Sequence, residues 1–136
     1  MKRRKAREYA LQFLYRLDFF DSDDLKNELG SFWNETGEIE PDIRNFASEI
    51  ITGTIRNLEA IDSVIQKFAE KWTLSRIASI DRNILRFAAY ELLYRKDIPD
   101  AVTINEALEI AKKYSTAESA AFINGILDRI AKEFKK

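Results

Sequence analysis

Apolar residues recur at intervals of three and four along nearly the whole chain, and no stretch alternates with period two for long enough to make a sheet. That spacing puts the apolar side chains of each segment on one face of an α-helix, so an all-α fold is expected. Ala6, Ala10, Phe13, Leu14, Leu17 and Phe20 predict a first helix over residues 4–20. Asp21, Ser22, Asp23 and Asp24 offer cap oxygens and first-turn acids for a second helix, which carries Leu25, Leu29, Phe32 and Trp33. Thr36-Gly37-Glu38 reads as a loop. Pro41 suits the first turn of a third helix, which uses Ile43, Phe46, Ala47, Ile50 and Ile51 and ends near Asn57.

A fourth helix is expected over residues 60–71, and Trp72-Thr73-Leu74-Ser75 interrupts the pattern. A long helix follows through Ile77, Ile84, Leu85, Leu92 and Leu93, and Pro99 marks its end because proline disfavours helix in the residue before it. Thr103-Ile104-Asn105-Glu106 and Ser115-Thr116-Ala117-Glu118 each set a hydroxyl three residues before a glutamate. This capping-box pattern predicts helices over residues 104–114 and 116–134. The expectation is about seven helices joined by short loops, in a single domain over residues 1–136.

Cysteine and histidine are both absent. Disulfides, thiolate nucleophiles, zinc sites built from sulfur or imidazole and the usual near-neutral general base are therefore excluded. A hydrolase working through carboxylates alone stays open, but no carboxylate pair, metal-ligand spacing or glycine-rich phosphate loop emerges, and Gly30, Gly37, Gly53 and Gly125 are isolated. The expected protein is no enzyme and needs no metal or cofactor. No apolar run approaches the roughly 20 residues of a membrane-spanning helix, and the basic start has no signal-peptide pattern behind it, so a cytoplasmic location is expected.

Net charge is −1, yet Lys2, Arg3, Arg4, Lys5 and Arg7 place five cations in the first seven residues and leave −6 for the remainder. A concentrated basic tip on a mildly acidic body suggests a local anion site. It also conflicts with local physics. A helix start carries partial positive charge, and each exposed cation there costs roughly 0.3–1 kcal/mol. A docking polyanion such as RNA would neutralise both cations and dipole. The competing readings are a solvated tail, an acidic protein partner and, weakest, a membrane surface.

Phe122 lies about 100° around the last helix from Ile123, at the edge of its apolar stripe. It reads either as a base-stacking aromatic or as a peripheral core residue. Glu91 and Arg95, four apart, suggest a surface ion pair. Asp81 and Arg82 are either solvated or partner-facing. Gly125 within a helix costs about 1 kcal/mol relative to alanine, which close approach of a neighbouring helix would explain.

Three segments together resemble the NusB family. They are the arginine-rich start, Arg4-Lys5-Ala6-Arg7-Glu8-Tyr9-Ala10-Leu11-Gln12-Phe13-Leu14-Tyr15; the stretch from Ile80-Asp81-Arg82-Asn83-Ile84-Leu85-Arg86 through Ile98-Pro99 into Thr103-Ile104-Asn105-Glu106-Ala107; and Phe122-Ile123-Asn124-Gly125-Ile126-Leu127-Asp128. The resemblance implies two packed helical sub-bundles. It also implies a transcription antitermination factor that binds the boxA element of nascent, chiefly ribosomal, RNA together with NusE, a small-subunit ribosomal protein. Other Nus factors and RNA polymerase would complete the assembly. Carried over residue by residue, it assigns RNA contact to Lys2, Arg3, Arg4, Lys5, Arg7, Gln12 and Phe122, with Glu118 tuning affinity as a like charge to phosphate. Tyr15 and Asp81 are assigned to NusE. Ala121 departs from the family, standing where many relatives carry a basic residue. A similar helical module occurs fused to RNA cytosine methyltransferases; the free-standing factor fits this chain better. The alternative function is a helical protein–protein adaptor without RNA preference.

Overall fold

The computed structural model describes residues 2–19, 24–70 and 72–135. Among them the chain forms seven α-helices and no strand: α1 (Lys2–Leu17), α2 (Leu25–Thr36), α3 (Pro41–Arg56), α4 (Leu58–Ala69), α5 (Ser79–Tyr94), α6 (Asp100–Tyr114) and α7 (Ala117–Glu133). A 3-10 turn, Leu74–Arg76, fills the interruption seen between the fourth and fifth helical patterns. α1 packs on α3 and α5, while α4, α6 and α7 gather on α5, which therefore belongs to both halves. That position explains why α5 is apolar on most of its circumference: Ile84, Leu85, Phe87, Ala88, Ala89 and Leu92 are all buried. Phe13, Ile50, Ile51, Ile61, Ile65 and Ile110 meet them in one continuous core, each burial worth about 1.5–3 kcal/mol.

The helix ends follow local chemistry, with two exceptions to expectation. Asp24 caps α2 by accepting from the Asn27 N–H, Gly37 ends it in the left-handed conformation at φ 71°, and Pro41 opens α3. Phe20, Asp21, Ser22, Asp23 and Lys71, which the sequence reading used, lie outside the described residues. The first exception is Thr103. It caps nothing, because α6 begins directly after Pro99 and Thr103 falls within the helix, where its buried hydroxyl donates to Glu91 at 2.8 Å. The second is α7, capped by Thr116 rather than Ser115, with the Thr116 hydroxyl accepting from the Ser119 N–H at 3.0 Å. The shift places Glu118 at the second helical position.

Two further expectations are corrected by packing. Glu91 and Arg95 do not pair on the surface. Glu91 is wholly buried against Arg7, and Arg95 forms ion pairs with Asp97 and Glu49. Gly125 is exposed, with open space where a Cβ would stand, so no neighbouring helix explains it. The close approach occurs at Gly53, where a Cβ would collide with the Tyr90 ring. Tyr90 in turn stacks on Tyr94, their centroids 5.5 Å apart.

Candidate nucleic-acid interface

The basic tip of α1 meets carboxylates of its own chain. Lys2 pairs with Asp42 at 3.2 Å and Glu40 at 3.4 Å. Arg4 grips Glu106 through two hydrogen bonds of 3.0 and 2.6 Å. Lys5 pairs with Glu38 at 3.0 Å, and Arg7 forms a fork-to-fork pair with Glu91, both bonds 2.8 Å. Arg3 has no ion pair among the described residues and lies over the Phe46 ring, 4.4 Å from its centroid. The conflict between cations and helix dipole is thus resolved inside the chain by the acids of α3, α5, α6 and the loop before α3. An awaiting polyanion is not needed to explain it, which corrects the reasoning that first pointed to RNA.

Arg7 is a second correction. Its side chain is 2% exposed, sealed between Glu91, Glu106 and the Phe46 ring. A guanidinium at that depth cannot reach a phosphate without breaking a buried ion pair, so its role is architectural. Lys2, Arg3 and Lys5 remain exposed, and Arg4 is partly so.

Gln12 is exposed on the same helix and, with Leu11, Tyr15, Ile80 and Tyr114, lines a shallow apolar groove of about 180 Å³. Tyr15 is 40% exposed and Phe19 61%, and their rings lie 5.0 Å apart. One residue beyond Ile80, Asp81 is nearly buried and accepts from the Ser119 hydroxyl at 2.8 Å. Asp81 and Ser119 form the wall of a second groove of about 330 Å³, shared with Trp72, Arg76, Glu118 and Phe122. Phe122 is half-buried there, packed against the core and lining the groove. Trp72, 53% exposed, faces the same groove and was missed by sequence reasoning. The clue available was a tryptophan in a helix break, whose backbone the Gln66 side chain fixes by donating to the Trp72 carbonyl and accepting from the Leu74 N–H, both at 2.7 Å.

Comparison with known proteins decides what this assembly belongs to. Residues 4–132 match the NusB family model. The chain belongs to the NusB family. The transcription antitermination protein NusB of Thermodesulfovibrio yellowstonii is 57% identical to it, covering 98% of this chain and 93% of that protein. The crystal structure of NusB from T. maritima superimposes with a TM-score of 0.88 at 45% identity, covering 98% and 93%. A solved complex of antitermination factors NusB and NusE with double-stranded RNA matches with a TM-score of 0.88 at 26% identity over 98% of each chain. Among the described residues of this NusB-family chain, no helix is long and apolar enough to cross a membrane.

Four paired acids, Glu38 and Glu106 at the tip and Asp97 and Asp18 elsewhere, are biased toward the charged form. Glu38 is held down to about 2 by the Glu40 backbone N–H and by Lys5, and Asp97 to about 2 by Arg95. Arg4 lowers Glu106. Burial pushes Asp18 up, but hydrogen bonds from Ser79, Asn83 and Arg82 together hold it below its usual value. Each group binds its proton more weakly folded than unfolded. Their contribution is therefore present above the ordinary carboxylate range and is lost as pH falls through it. Thermal melts should be flat from neutrality to about pH 5 and drop progressively between about pH 4.5 and 2. A midpoint unchanged down to pH 2.5 contradicts the pairing.

Proposed function

We propose that this NusB-family protein binds the boxA element of nascent RNA jointly with NusE and serves transcription antitermination through that complex. The observation that carries the reading is the placement of two grooves on consecutive residues of α5. At the opening turn of α5, Ile80 lines the apolar groove of Tyr15 and the next residue, Asp81, lines the aromatic groove of Phe122. A protein seated at Tyr15 and Phe19 and an RNA seated at Phe122 would lie on neighbouring residues of the same helix turn, close enough to meet. Each would raise the affinity of the other. The solved complex of NusB, NusE and RNA supports a ternary arrangement of this kind.

In this reading Lys2 and Lys5 exchange their ion pairs for phosphate contacts, Arg4 does so at greater cost, Arg3 turns to phosphate from the Phe46 ring, and Arg7 anchors the helix from within. Gln12, exposed on α1 and lining the Tyr15 groove, is available to either ligand. Phe122 and Trp72 offer ring faces to unpaired bases, and Glu118 at the groove rim opposes phosphate. Asp81 is met by a partner only through the groove wall.

The test is a fluorescence titration with boxA RNA, a scrambled strand and a boxA duplex, each with and without NusE. The boxA strand should bind at least about tenfold more tightly than the scrambled strand once NusE is present, and Phe122→Ala should remove about 1–3 kcal/mol without flattening the salt dependence. Equal affinity for all three RNAs in both conditions would favour the protein-only adaptor.

A further inference from the structure

We propose that Glu38 and Glu106 lower the RNA affinity of α1 by holding Lys5 and Arg4 in internal ion pairs that a phosphate must displace. The inference rests on the RNA reading above and concerns residues that reading leaves unused. In both pairs the acid is the fixed member and the cation the mobile one. The Glu38 side chain is 8% exposed against 56% for Lys5, and Glu106 is 13% exposed against 35% for Arg4. Glu38 is locked three ways, accepting from Lys5 and the Tyr9 hydroxyl at 3.0 Å and from the Glu40 N–H at 3.1 Å. Glu106 has Arg7 as well as Arg4 beside it, 3.9 and 2.6 Å away. Long cationic stems anchored at one end by a rigid carboxylate can swing to a phosphate, but the carboxylate stays and repels it.

A built-in competitor of this type costs every polyanion the same amount. RNA that also gains base stacking and a protein neighbour overcomes the cost, and RNA that gains only phosphate contacts does not. The pairs therefore set a threshold that, at a given RNA concentration, only RNA with those added contacts clears.

Glu38→Gln and Glu106→Gln remove the charge and keep one acceptor oxygen each, which at residue 38 can face the Glu40 N–H while the amide donates to the Tyr9 hydroxyl oxygen, and at residue 106 keeps one bond from Arg4. Titrated against boxA and scrambled strands over a salt series, the double variant should bind both roughly three- to tenfold more tightly at low salt. Its salt slope should steepen by less than about 1, since Lys5 and Arg4 already reach phosphate in the wild type and only the opposing carboxylates are removed. The fold gain should be the same for the two strands, since the competitor costs each the same amount. Glu40→Gln is the control: its pair with Lys2 is exposed on both sides, and it should move affinity by less than about twofold. Variants that melt like the wild type but bind no tighter, or a Glu40→Gln gain equal to that of Glu38→Gln, would overturn the competitor role. A wild-type protein that binds neither strand, with or without NusE, would instead overturn the RNA reading itself.

Discussion

Replacing Arg7 with alanine should cost about 3–5 kcal/mol of stability and lower the melting temperature by roughly 10–20 °C. The guanidinium fills the junction of α1, α5 and α6, where Glu91 is wholly buried and accepts two bonds from Arg7 and one from Thr103. Removing the cation strands a carboxylate with no water to solvate it, and that penalty exceeds anything the pair contributes when intact. Substituting the whole polar set with apolar residues of similar volume, Arg7→Met with Glu91→Leu and Thr103→Val, should restore most of the loss, because no buried charge is left behind. Thermal and urea melts of both variants decide the matter. If the alanine variant melts within a few degrees of the wild type, the pair is not the anchor described here. Because Arg7 lies beneath the surface, any loss of RNA binding in a folded Arg7 variant would come through displacement of α1.

Replacing Lys2, Arg3 and Lys5 together with alanine should weaken boxA binding about a hundredfold at low salt, taking about 1 kcal/mol per phosphate contact, and reduce the salt slope by about 2. Stability should change little, since exposed ion pairs contribute about 0–1 kcal/mol each. Isothermal or fluorescence titration at several salt concentrations measures both quantities, and a melt checks the fold. An unaltered slope in a folded variant would move the RNA off the tip of α1 altogether and leave the Trp72–Phe122 groove as its seat. These three residues differ from the set that charge density alone would select, which includes Arg7 and ranks Arg4 equally with its neighbours.

That difference shows what kind of information each level carried. The apolar rows that built seven helices are local, because the 3.6-residue repeat is written in each segment's own residues. Asp24, Gly37 and Pro41 mark their helix ends by chemistry that acts within one turn. The family was equally legible, since motif order and spacing need no folding to be seen. The partner of a charged side chain was not. Glu91 has Arg95 four residues away and Arg7 eighty-four away, and only the folded chain prefers the second. Thr103 carries the pattern of a cap and serves as a buried donor, because Pro99 starts α6 a turn earlier. Gly53 and Gly125 are alike in sequence, yet only Gly53 has a ring against it.

The sequence by itself determined the helices, the core-facing side of each and the family. The tertiary structure alone decided that the basic tip is answered by Glu38, Glu40, Asp42, Glu91 and Glu106, that Arg7 lies inside, and that Trp72 joins Phe122 at one groove. The reason is range. Periodicity and capping act over a few residues of backbone, whereas electrostatic pairing acts through space between segments whose distance is undefined until the chain has packed.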